Sequence, residues 1–106
     1  MNETVTRRNV GDVSVLTRYL RDGKLYLNLT GYVVTIRITR KGVTKVNRAI
    51  VAHPDQATYK GRIDYTPQAS DVDTKGIYRV EIIADNGTNI ISFPRGDKQR
   101  FYLWIG

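Results

Sequence analysis

Gly76-Ile77-Tyr78-Arg79-Val80-Glu81-Ile82-Ile83 is the most strongly patterned stretch of the chain. Tyr78, Val80 and Ile82 alternate with Arg79 and Glu81, the period of two that a strand shows when one of its faces is buried and the other meets water. Asp71-Val72-Asp73-Thr74-Lys75 precedes it, polar and rich in turn formers, so the strand is entered from a corner. Working outward, Asp85-Asn86-Gly87-Thr88 holds the Asn-Gly pair favoured in a type I′ hairpin turn, and residues 89–93 return as its partner. Residues 94–97, which include Pro94 and Gly96, interrupt that partner. Phe101, Leu103 and Ile105 then alternate with Tyr102 and Trp104 in a last strand.

Upstream the same period recurs. Residues 32–39 place Val34, Ile36 and Ile38 on one side and Thr35, Arg37 and Thr39 on the other, with the β-branched enrichment of a half-buried strand. Arg40-Lys41-Gly42 forms a turn and residues 43–51 return, but Val46 and Ile50 fall out of phase with Val43, Ala49 and Val51, which predicts a bulge or an edge position. Residues 12–20 and the set Leu25, Leu27 and Leu29 read as two earlier strands around a turn at 21–24. Residues 59–65 read as a later one, with Ile63 and Tyr65 inward. After it, Thr66 and Pro67 offer a cap and a first residue for one short helical turn. Seven or eight short strands at spacings of about 8 to 12 residues, with no amphipathic helix, predict an all-β antiparallel sandwich spanning residues 12–106 as one domain. Residues 1–11 carry no sustained period and read as a flexible N-terminal arm.

The chain has 106 residues and no cysteine, so a disulfide framework and a thiolate zinc site are excluded. His53, the lone histidine, lies in loop-forming sequence and reads as an ordinary surface residue. No cofactor and no metal site are expected. No apolar run approaches the roughly 18 to 20 residues that cross a bilayer, and the first residues lack the apolar core of a signal peptide, so no membrane partner is expected. The formal net charge is +7, and all of the excess lies in residues 1–50, with ten Lys and Arg against three acids; residues 51–106 balance at seven and seven.

Two sets of candidate interaction residues follow. The first is cationic: Arg37, Arg40, Lys41, Lys45 and Arg48 crowd the hairpin, with Arg7 and Arg8 in the arm. Such a patch meets an acidic protein surface or nucleic acid, or simply keeps exposed strands soluble. The second is aromatic: if Phe101, Leu103 and Ile105 face the core, Tyr102 and Trp104 stand on the outer face as a protein interface or a glycan platform. In the opposite phase Trp104 is the core tryptophan. The carboxylates Asp64, Asp71, Asp73, Glu81 and Asp85 form no recognisable catalytic pair, and Asp71 and Asp73 sit where aspartate serves local turns. No enzymatic activity is expected.

Gly76 followed by Tyr78 after an acidic lead-in resembles the corner that enters strand F of immunoglobulin-like sandwiches, where a tyrosine buries its ring and returns its hydroxyl to the upstream backbone. A wider ordered set points further: Gly11-Asp12, Asp22-Gly23, Leu29-Thr30-Gly31 before a β-branched strand, Gly61-Arg62-Ile63-Asp64-Tyr65, Asp71 with Gly76-Ile77-Tyr78, and Pro94 before the last strand. From Gly11 to Ile105 this set resembles the immunoglobulin-like N-terminal domain of tailed-phage baseplate upper proteins. Members of that family usually continue into a long C-terminal region. The resemblance implies a non-enzymatic structural protein of a virion, made in the host cytoplasm and partnered by other virion proteins of the tail, baseplate, fibre or head-tail junction. Capsid decoration, or a carbohydrate- or nucleic-acid-binding sandwich, are the alternatives.

Overall fold

A computed structural model describes residues 2–22, 25–93 and 99–106. The turn expected at 23–24 and the interruption expected at 94–97 lie outside them. The strands are β1 (Asn2–Arg8), β2 (Leu16–Tyr19), β3 (Arg21–Asp22), β4 (Leu25–Tyr26), β5 (Val33–Arg40), β6 (Val43–Ala52), β7 (Arg62–Tyr65), β8 (Gly76–Asp85), β9 (Ile90–Phe93) and β10 (Gln99–Ile105), with a 3-10 turn at Ala69–Val72. The all-β class expected from the sequence holds.

The layout differs from two separate facing sheets. Seven strands form one hydrogen-bonded path, β1-β10-β8-β5-β6-β7-β2, with β9 pairing β8 and β3-β4 a small hairpin apart. The path turns at β6. Its residues from Val43 to Ile50 pair with β5, whereas Val51 and Ala52 pair with β7, so one strand serves both halves of the sheet. The sheet curls until its two ends approach: the Arg18 guanidinium on β2 donates to the Thr6 hydroxyl on β1. Nor is the sheet wholly antiparallel, because β1 runs parallel to β10.

Residues 2–8 are therefore a strand rather than the flexible arm expected over 1–11. Without β1, β10 would present a row of unpaired backbone groups along one whole side, and the parallel ladder from Asn2 to Arg8 satisfies them. An edge strand of this kind needs little amphipathic pattern, since backbone pairing supplies much of what holds it. Beyond it the chain is pinned again, Gly11 N–H donating to the Val72 carbonyl at 2.9 Å.

The core is filled from the inward phase of the central strands: Val34, Ile36 and Ile38 of β5 face Tyr78 and Ile82 of β8, Leu103 and Ile105 of β10, and Ile63 and Tyr65 of β7. Each such side chain contributes about 1.5 to 3 kcal/mol by leaving water, which makes these strands the ones their periodicity announces. The bulge expected in β6 is present between the pairs Ile38↔Val46 and Thr39↔Thr44, leaving Lys45 as the extra residue. The segment around Leu25, Leu27 and Leu29 is less regular than expected. Leu25 is 77 % exposed, and only Leu29 reaches full burial. The helical turn lies two residues later than expected, with Gln68 as its N-cap, and residues 12–15 stay outside the sheet.

Tyr78 realises the corner. Its ring is buried, and its hydroxyl donates to the Thr74 carbonyl at 2.8 Å, four residues upstream. Tyr78→Phe is expected to lower stability by about 1 kcal/mol, the worth of one such bond, read from the urea midpoint with an unchanged slope.

Candidate interaction surface

With Leu103 and Ile105 inward, alternation sends Tyr102 and Trp104 to the outer face of β10, and Trp104 is 40 % exposed. The parallel ladder sets Arg7 of β1 beside Trp104, and its guanidinium carbon lies 4.3 Å from the ring centroid. A cation over an indole face at an exposed site is worth about 0.5 to 1 kcal/mol, a modest bias toward this arrangement. On the other side of β10, Trp104 is paired with Ile77, which is 57 % exposed, and Tyr102 lies between Val5 and Arg79. Tryptophan, tyrosine and arginine beside exposed aliphatic groups is the composition of a protein contact surface. An open hollow of about 380 Å³ adjoins it, lined by Arg7, Arg8, Asn9, Asp12, Trp104 and Gly106.

The cationic candidates do not form one patch. Arg37 points outward and pairs with Glu81 across the strands at 3.1 Å. Lys45, the bulge residue, reaches Asp73 at 2.7 Å, and that hydrogen bond raises the lysine pKa. Arg48 stands opposite the buried Ile36 and turns inward, where both its terminal nitrogens meet Asp71, at 2.5 and 3.0 Å. Arg40 and Lys41 occupy the hairpin end, and among the described residues neither has a carboxylate within ion-pair distance. Arg7 and Arg8 lie three strands away from the hairpin, on β1, with Arg7 beside Trp104.

Asp71 is the residue that sequence reasoning undervalued. It was expected to serve a local turn, and part of that holds: its carboxylate accepts from the Gln68 N–H at 2.9 Å. But Asp71 is only 4 % exposed, and the same oxygen also accepts from the Tyr65 hydroxyl at 2.5 Å. Tyr65 thus donates its hydroxyl hydrogen bond to a side chain, whereas Tyr78 donates to the backbone. Burial pushes the Asp71 pKa up, but the Arg48 and Tyr65 hydrogen bonds and the Gln68 N–H together outweigh it and hold the group at about 2. Burial, and then the adjoining carboxylate, push the Tyr65 hydroxyl well above its ordinary value.

Gln56 is a second omission. Buried to 4 % exposure, it accepts from Leu29 N–H and Gly61 N–H at 3.0 and 2.9 Å and donates to the His53 and Arg62 carbonyls. One amide therefore ties the loop before β5 to the loop before β7. No spacing or neighbour marks this glutamine in the sequence. His53 itself rests against Tyr59, with ring centroids 4.5 Å apart, and its Nδ1 accepts from the Asp55 N–H.

The same arrangement of strands occurs in a phage protein. Over 99 % of this chain and 88 % of its counterpart, the fold matches the N-terminal domain of phage TP901-1 ORF48, with a TM-score of 0.68 and 12 % sequence identity. At that identity the likeness is one of fold. No family model matches the sequence, and no curated protein is similar to it.

Proposed function

We propose that this chain is a non-enzymatic structural module of a tailed-phage virion, one that joins protein subunits in the tail, baseplate, fibre or head-tail junction. The observation that carries the reading is the fold likeness to a phage protein domain over nearly the whole chain. The ordered turn and corner signals from Gly11 to Pro94, which resemble those of baseplate upper proteins, support it independently. In its finer form the reading takes the curled sheet as a variant of the immunoglobulin-like arrangement. The tyrosine corner at Tyr78 and the placing of β2 and β7 across the core from β10, β8 and β5 support that form. The partners are other virion proteins, met by the outer face around Arg7, Tyr102 and Trp104, and the place of action is the particle.

The competing readings lose support from specific contacts. A sugar platform needs an open ring face, and the Arg7 guanidinium competes for one face of Trp104. A nucleic-acid surface needs a run of available cations, and Arg37, Lys45 and Arg48 are each engaged by a carboxylate of the chain itself. Immunogold labelling of purified particles tests the proposal. Label confined to the tail, its tip or the neck is the expected result. Unlabelled particles from a culture that makes the protein overturn it, and label spread over the capsid moves the role to decoration.

A further inference from the structure

The hairpin between β5 and β6 reverses in two residues, Lys41 and Gly42, both at positive φ, +51° and +79°, with Arg40 and Val43 paired across its base. Two-residue hairpins match the twist of their strands in type I′ or II′ turns, and the I′ form has both central residues left-handed, as here. Glycine, asparagine and aspartate accept that conformation readily, whereas a lysine does not. Lys41 is the one non-glycine residue at positive φ among the described residues. The chain thus keeps a long cationic side chain at a backbone position where a short polar one would be more stable.

The surroundings give that charge a use. Arg40 lies against Gly76, so closely that a Cβ there would stand 2.8 Å from its Nε, which holds the guanidinium beside the corner. Arg40, Lys41, Val43, Lys45, Thr74 and Tyr78 border an open hollow of about 470 Å³. Asp73 answers Lys45 and leaves Arg40 and Lys41 available among the described residues. Val43, 70 % exposed, adds an apolar surface next to the two charges. Along β5 and β6 the available cations are confined to the hairpin end and form no track, because Arg37 and Arg48 turn to opposite faces and are paired. A phosphate backbone needs such a track; a short acidic segment does not.

We infer that the hairpin end is a docking site for an acidic segment of a partner protein, with carboxylates at Arg40 and Lys41 and an apolar side chain on Val43. This rests on the reading of the chain as a module that joins virion proteins.

The test uses particles assembled with variant protein. Lys41→Asn relieves the backbone and removes the charge, so its melting temperature is expected to rise by about 2 to 4 °C. In competition with wild type its incorporation into particles is expected to fall about tenfold, the loss of one charge-assisted contact. A photo-cross-linking residue at Val43 is expected to capture a segment rich in Asp and Glu from another particle protein. The same residue at Lys60, beyond the far end of β6, is not. Incorporation of Lys41→Asn at the wild-type level overturns the inference, as does cross-linking at Val43 to nucleic acid or to a segment without acidic residues. If wild-type protein itself fails to enter particles, it is the underlying virion reading that fails.

Discussion

Replacing Asp71 with asparagine is expected to cost about 3 kcal/mol, the low end of what breaking a buried ion pair costs when one partner stays behind. Three donors converge on this carboxylate, from Arg48, Tyr65 and the Gln68 backbone, and they come from β6, β7 and the link that leads to β8. The pair thus staples the strand at which the sheet curls to the loop that enters the central strand. Asparagine fills the space but lacks the charge that Arg48 answers, and its own N–H groups would face donors. Arg48→Met is expected to cost less, because Arg48 is one-third exposed and the carboxylate keeps its other two donors. The pair should also show itself in acid. Unfolded, Asp71 titrates near 3.8; folded, near 2. A depressed folded pKa contributes stability that is full above the unfolded value and is lost as pH falls through the folded one. Between pH 4 and pH 2 wild type is therefore expected to lose on the order of 2 kcal/mol through this group. Urea denaturation at pH 7, 4 and 2 checks both expectations. In Asp71→Asn the Asp71 share of the acid loss is absent, so the gap between the two proteins narrows as pH falls.

Gln56→Ala is expected to destabilise by about 2 to 4 kcal/mol, because truncation strands two buried backbone N–H groups, those of Leu29 and Gly61, each worth about 1 to 3 kcal/mol when left unpaired. Gln56→Glu separates the two roles of the amide. Ionised, it keeps the acceptor for both N–H groups but offers no donor to the His53 and Arg62 carbonyls and brings a charge into a buried place; protonated, it is neutral and regains one donor. Glutamate is therefore expected to fall between glutamine and alanine at low pH, where it is protonated, and to approach alanine at neutral pH. Thermal unfolding followed by circular dichroism at the two pH values distinguishes these orders. Equal stability of all three proteins would mean that the two loops are held by something other than this side chain.

How much of this was legible beforehand depended on which physical effect fixed each element. β5 and β8 could be read because burying one face forces the alternation of Val34, Ile36 and Ile38 and of Tyr78, Val80 and Ile82. The corner at Tyr78 could be read because glycine, acid and tyrosine stand close together in sequence. β1 could not, since it is held by a parallel ladder to a strand about a hundred residues away. The curl could not either: nothing local tells Val51 and Ala52 to leave β5 for β7. Both hairpin turns fall where expected, but their conformations differ from what their residues suggest. Asn86-Gly87 carries the favoured residues, yet only Gly87 has positive φ, and the Asn86 carboxamide closes the loop by accepting from Thr88 and Asn89 N–H groups. Lys41-Gly42 carries a disfavoured residue and has both central positions left-handed.

The candidate surface divides along the same line. The outward phase of Tyr102 and Trp104 was one of two open alternatives, and the inward register of Leu103 and Ile105 decides it. The cationic set looked continuous because Arg37, Arg40, Lys41, Lys45 and Arg48 are neighbours in sequence. Their carboxylate partners, Glu81, Asp73 and Asp71, come from 23 to 44 residues further on, so the pairing that divides the set is a product of the fold.

Quantitative mass spectrometry of gradient-purified particles, with the copy number of this chain scaled to the major capsid protein, tests the central claim most directly. A few to a few dozen copies per particle is the predicted result and fits a component of the tail, baseplate, fibre or neck. Absence from the particle would contradict the account, and several hundred copies would contradict its placement by making the chain a capsid decoration.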